Sequence, residues 1–303
     1  MKQFFLPILL LSLMSSGSMA QEYQDFLGAG HDFEVEVTTS SNDDADGYTS
    51  VDGFDVQNTA ALKDASRFLA QATMGYDYEM IQMTAAMGFD AWIDEQFSLP
   101  RQSFASMDEA LALAFDDEFV GMDNFRSAWW NYALSSADQL RQRLNYNLSE
   151  LFVVSGFGSD FFEDYGILSS SYYDVLGDNA FANYRQLLSA VSRSPVMGIY
   201  LSHYNNPRSD PANNIHPDEN YAREVMQLFS IGLFELNNDG THQLDANGQP
   251  IPTYDNDDIR EFARIFTGFA DGRPDGSWDI PFDDNNDVGD IVSYPMAMYD
   301  EHH

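Results

Sequence analysis

The chain has 303 residues, with 49 acids against 14 bases, no cysteine and a formal charge of −35. That length holds one large domain or two small ones, and 44% apolar with 14% aromatic residues is ample for a buried core, which argues against wholesale disorder. So acidic a surface repels phosphate backbones and anionic lipid, arguing against nucleic acid as a partner and against an electrostatic membrane anchor. The lack of cysteine excludes disulfides, thiol nucleophiles and iron–sulfur ligation.

Residues 1–20 read as a secretory signal: Lys2 gives a positive start, Phe4 to Met14 an apolar stretch, and Ser18-Met19-Ala20 small cleavage residues. The apolar stretch is shorter than the roughly 20 residues a bilayer needs. The expectation is an exported protein, periplasmic or extracellular, with no membrane insertion after signal cleavage. Residues 21–57 form an acidic flexible segment, with eight acids and no Lys or Arg between His31 and Asp55. Inside it Asn42, Asp44, Asp46 and Gly47 have the spacing of half a calcium loop, but Gly53 stands where the closing Glu belongs.

From residue 58 to 303 the pattern predicts a mainly α, irregular multi-helix domain with short β-hairpin excursions. Leu62, Ala65, Leu69 and Ala72 recur at helical steps in the first segment. A second helix runs from Asp77 to Gly88, and a third, capped by Asp90, ends before Pro100. Ser136 and Gln139 read as a capping box opening a stripe of Leu140, Leu144, Leu148, Leu151 and Phe152 that Gly156 closes. Further helices are expected over Asn183–Ser192, Pro195–Tyr204, Pro217–Ile231 and Asp257–Thr267. Val35–Val37 and Gln249–Thr253 are candidate strands, and Asn238-Asp239-Gly240 and Ala246-Asn247-Gly248 are turns in which Asn and Gly accept positive φ. No repeat or heptad signature was evident. From Asp271 to Glu301 the character changes, with nine acids, one Arg and three prolines, and apolar residues resume at Tyr294 to Tyr299, so the chain reads as the N-terminal portion of a longer protein.

Three stretches carry a resemblance: Arg67–Thr73 (RFLAQAT), Gln139–Arg143 running into Ser149–Ser155 (SELFVVS), and Pro217–Gly232 (PDENYAREVMQLFSIG). They are similar to the bacterial domain of unknown function 1800 family, with further likeness at Phe181–Leu188 and Phe266–Phe269. The resemblance implies a mainly helical, exported protein. It also implies a following block with His, Gly and Lys that His302 or His303 would begin. Genes of that family often lie beside those of an exported family similar to alkaline phosphatases and sulfatases, which makes such a protein the expected partner.

In the Pro217 segment, Glu219 and Arg223 are four apart, as are Asn220 and Glu224, so acid, amide, guanidinium and acid form one polar band. Such a band serves either as a network joining helices or as a site in which Glu219 or Glu224 is ligand or general base and Asn220 and Arg223 position substrate. His203, His216 and Asp218 are the candidate metal ligands, and a divalent metal is the cofactor that such an N/O set would take. With only two lysines in the chain, Arg67, Arg141, Arg143, Arg185 and Arg223 are expected to partner carboxylates such as Glu150, Glu219 and Glu224. Trp129, Trp130 and Tyr132 are candidates for an aromatic binding platform, but adjacent helical residues point about 100° apart, so at least one tryptophan is expected in the core. No H-E-x-x-H, G-x-S-x-G, P-loop or dinucleotide-binding glycine pattern occurs. The sequence thus predicts an exported helical protein without an assigned reaction, acting with an envelope or secreted partner. A metal-assisted hydrolase built on the Glu/Asn/Arg/Glu band and a calcium-dependent surface binding protein remain the alternatives.

Overall fold

The computed structural model describes residues 59–115, 121–156, 160–282 and 288–303. The predicted signal, the acidic segment with its calcium-like spacing and the Val35–Val37 strand lie outside them. In chain order the helices are α1 (Thr59–Ala72), α2 (Tyr78–Met87), α3 (Phe89–Ser98), α4 (Phe104–Phe115), α5 (Met122–Ser135), α6 (Gln139–Leu151), α7 (Asp160–Asp164), α8 (Gly166–Asp178), α9 (Tyr184–Ser192), α10 (Pro195–Tyr200), α11 (Asn220–Gln227), α12 (Asn256–Ala263) and α13 (Val288–Val292). Strands β1 (Phe269–Ala270) and β2 (Ala297–Met298) pair antiparallel, Phe269 opposite Met298. The fold is mainly helical, as the sequence predicts.

Helix α8 is the hub, packed against α4, α5, α6, α7, α9, α10 and α13. Its first six residues, Gly166 to Ser171, are all buried, as are Tyr172, Leu176 and Gly177. With Gly166 to Tyr172 buried in succession, the helix shows no single apolar stripe over that stretch and carries little amphipathic signal in the sequence. Its small residues permit close approach: a Cβ on Gly166 would lie 2.0 Å from the Gly121 carbonyl oxygen. Tyr172 and Leu176 then join Phe152, Leu187, Val191, Tyr221 and Phe266 in the main core.

Several predicted helices stand with altered ends. Asp77 caps α2, its carboxylate accepting from the Met80 amide, but α3 begins at Phe89 after Gly88, so Asp90 lies in the first turn instead of at the cap. Asn183 and Gln186 make a true capping box on α9, and Asp255 and Asp258 another on α12. In α6 the expected Ser136/Gln139 box is absent: Asp138 holds the cap position, and the Leu140 amide is satisfied from another helix, by Gln96 Oε1 at 3.0 Å. The most buried face of α6 is polar, Gln139, Gln142 and Asn145, whereas Leu151 is 60% exposed. Gln139 donates to the Ala133 carbonyl of α5 and Asn145 to the Tyr173 carbonyl of α8, bonds across helices, while Gln142 donates to Asp138 at the cap of its own helix. Leu140 and Leu144 of the expected stripe line an open apolar groove of about 430 Å³ with Phe68, Ile93, Phe97 and Phe181.

After α11 the chain makes an excursion over residues 233–253. Here the Glu235 N–H donates to the Ile251 carbonyl, the Ile251 N–H to Gln243, and the Gln243 N–H back to Glu235. These residues are eight apart, so three segments close on themselves around one ring of backbone hydrogen bonds. The predicted turns join the segments, with Gly240 and Gly248 at φ +82° and +78°. A local eight-residue repetition therefore exists where the sequence reading found no repeat.

Candidate binding surface around the motif helix

The helix carrying the Glu/Asn/Arg/Glu band is shorter than its sequence pattern. It opens at Asn220 instead of Pro217, with Glu219 at the cap position, and stops at Gln227, well before Ile231. Asp218 marks the late start, its carboxylate accepting from the Asn220 amide at 2.8 Å. At the other end Gly232, at φ +75°, donates to the Met226 carbonyl, a closure that needs glycine's freedom. Tyr221, Ala222, Val225 and Met226 are buried and anchor the helix.

Three of the four residues of the polar band, Glu219, Asn220 and Arg223, are open to solvent at least in part. Glu219 and Arg223 pair at 3.2 Å with side chains 38% and 40% exposed, and Asn220 is exposed. Glu224 is half-buried, and its Oε2 is enclosed without a hydrogen-bond partner. The structure therefore brings Glu219 and Arg223 together as the spacing predicts.

The candidate metal ligands do not gather. His203 is fully buried, stacked on Tyr221 with ring centroids 3.9 Å apart, and its Nε2 donates to the Ser192 carbonyl at 2.9 Å. Burial lowers its pKa to about 4, so the ring is neutral at pH 7, and Nδ1 has no partner. His216 and Asp218 are both exposed. Among the described residues no group of three or more His, Asp or Glu is placed to hold a metal ion.

The residue that organises this region is Asn206, which the sequence reading did not single out. Buried between segments, its Oδ1 accepts from the Asp218 amide at 2.8 Å, its Nδ2 reaches the Asp218 and Phe266 carbonyls, and its own carbonyl accepts from Gly268. Three stretches distant in sequence are thereby fixed together. The final residues join them: the His302 carbonyl accepts from Arg208 N–H, and His303 Nδ1 lies 3.2 Å from Thr267 Oγ1. The signal available in the sequence was Asn206-Pro207, a turn dipeptide following Asn205, which takes positive φ.

The arginines divide. Arg141 partners a carboxylate, Asp138 at 3.5 Å, donates to the Gly177 carbonyl and covers the Phe181 ring at 4.3 Å. Arg67 and Arg185 are exposed. Trp129 packs on the cluster of Phe104, Ala128 and Tyr132 while Trp130 stands in solvent, as the angular argument requires. None of the residues lining the apolar groove comes from α11.

Immediately beyond α11 lies a run of exposed large apolar side chains: Leu228, Ile231, Leu233, Phe234, Leu236 and Leu244. The described body is mainly helical, and the partly exposed Glu219–Arg223 pair lies on the helix that precedes this apolar run. The chain belongs to the family described as protein of unknown function (DUF1800), whose model matches residues 67–300. No curated protein matches it, and no solved structure does.

Proposed function

We propose that this is an exported binding protein that acts with a secreted or envelope partner, its contact surface being the outer face of α11 together with the 233–253 excursion. The observation that carries this reading is the concentration of six exposed large apolar residues between Leu228 and Leu244. Exposed apolar patches on a folded domain mark interaction sites, and this one adjoins the family's most distinctive stretch. Export rests on the leader-like residues 1–20, and an exported phosphatase- or sulfatase-like protein is the first partner to test. The test mixes purified full-length chain with such a protein and follows the complex by sedimentation. A complex with wild-type protein that is weakened by Leu228→Asp supports the reading. In parallel, chromogenic phosphate, sulfate, carboxylic and glycosidic esters are offered with and without divalent metal. Turnover lost on Glu224→Ala, with melting temperature unchanged, would replace the binding reading by the metal-assisted hydrolase.

A further inference from the structure

The excursion has no core of its own. Of its three hydrogen-bonded centres only Gln243 and Ile251 are half-buried, and Glu235 is exposed. Its shape is set by the ring of backbone bonds and by two aspartates that tie the turns. Asp239 Oδ1 accepts from the Thr241 amide and hydroxyl, and Asp245 Oδ1 accepts from the Asn247 and Gln249 amides. Prolines at 250 and 252 further limit the third segment.

Side chains sort by pairing. The antiparallel bridges join Phe234 to Pro252, Leu236 to His242 and Leu244 to Pro250. Directly opposed residues in an antiparallel pair, and residues two apart on one segment, share a side of the backbone. All six therefore stand on one side, and the Phe234 and His242 rings, 5.1 Å apart, agree with that placement. The other side carries Glu235, Gln243 and Ile251. On the apolar side Leu236 is 54% exposed, Leu244 57% and Phe234 36%.

Along this segment the charge has one sign. From Leu228 to Asp258 the chain has six acids, Glu235, Asp239, Asp245, Asp255, Asp257 and Asp258, and neither Lys nor Arg. Hydrogen bonds from Thr241 and from the Gln249 and Asn247 amides hold the Asp239 and Asp245 carboxyls below the ordinary range, so both stay ionised well into acid. Two copies of this face would bring acidic rims together in a molecule of formal charge −35, and anionic lipid would be repelled likewise. An apolar centre inside an acidic rim is complementary to a surface of the opposite charge pattern.

Resting on the binding reading above, we infer that the 233–253 excursion docks a protein segment in which a short run of apolar side chains is flanked by Lys or Arg. The apolar residues cover Leu236, Leu244 and Phe234, and the flanking cations meet Asp239 and Asp245. Because the receiving face is already held by its own hydrogen bonds, little ordering is lost on binding.

The test uses the full chain and three labelled octapeptides, each a central apolar or Ser run flanked at both ends by charged residues, termed Lys-Leu, Lys-Ser and Glu-Leu, read by fluorescence anisotropy at about 0.15 M salt, where surface charge is screened beyond roughly 8 Å. The Lys-Leu peptide is expected to bind at least tenfold more tightly than either other peptide. The double variant Leu236→Asp/Leu244→Asp should lose at least tenfold, while Leu134→Asp, altering an exposed leucine on α5, binds as wild type. Equal binding of Lys-Leu and Lys-Ser, or equal loss in Leu134→Asp, would reduce the effect to attraction of any cation and overturn the inference. A dimer in sedimentation that the double variant abolishes would assign the face to a second copy and overturn it too. If the partner complex forms and survives the double variant, this inference falls while the binding reading stands; if no complex forms at all, the binding reading itself falls.

Discussion

His203 and Asp108 are both fully buried, and their titrations oppose one another. Asp108 on α4 is hydrogen-bonded by the Ser170 hydroxyl of α8, while its Oδ1 is enclosed without a partner. Burial, with the nearby Asp174 and Glu109 carboxylates, raises its pKa to about 7. A carboxyl raised in the folded state contributes stability present below its ordinary pKa and lost as pH climbs toward about 7. His203 has the reverse sign: lowered from 6.5 to about 4, it contributes stability present above 6.5 and lost as pH falls through about 4. Between pH 4 and 6.5 the two limbs partly cancel. In urea titrations over that window, Asp108→Asn should make the midpoint rise with pH more steeply than wild type, since only the histidine limb remains. His203→Phe keeps the stacking on Tyr221 but loses the Ser192 hydrogen bond, at a cost of about 1 kcal/mol at pH 7. Its midpoint should fall with rising pH relative to wild type. Parallel curves for all three proteins would show that neither group titrates as described.

Helix ends show how far local sequence reaches. The Asn183 box closes within four residues and is legible, and Asn183→Ala is expected to lower stability by about 1 kcal/mol in thermal melts. The α6 start is not legible in the same way, because Gln96, 44 residues earlier, supplies the acceptor for the Leu140 amide. The leucine stripe of α6 misled for a related reason: periodicity reports which residues share a face, but not which face the neighbours leave open. Gln139, Gln142 and Asn145 are buried because Met74, Asp138 and Tyr173 supply their partners. At the β1 entry, Gly268 sits at φ +82°, and a Cβ there would lie 2.9 Å from the Tyr299 carbonyl oxygen and 3.0 Å from Met298 Sδ. Gly268→Ala combines that strain with the clash, and a loss of about 1–3 kcal/mol is expected in chemical denaturation. An unchanged midpoint would mean that the β1–β2 pairing yields without cost.

At the scale of the molecule, the helical body and the excursion are secured by different forces. The body buries its core around α8, whereas the excursion is held by backbone bonds and stays largely in solvent. Replacing residues 234–252 by a short Gly-Ser link should therefore leave the thermal midpoint of the remaining body within a few degrees of wild type, a shift of roughly 1 kcal/mol or less. A large drop would show that the excursion supports the core. The sequence by itself determined the mainly α class, the helical starts that carry their own caps, the turns at Gly240 and Gly248, and the Glu219–Arg223 pair, since each depends on residues within four positions of one another. Only the tertiary structure decided that His203 is sealed behind Tyr221, that Asn206 clamps three distant segments, that α8 lies at the centre, and that Leu236 and Leu244 share one exposed side. Those facts depend on burial and on partners supplied from far along the chain, and neither leaves a local pattern to read.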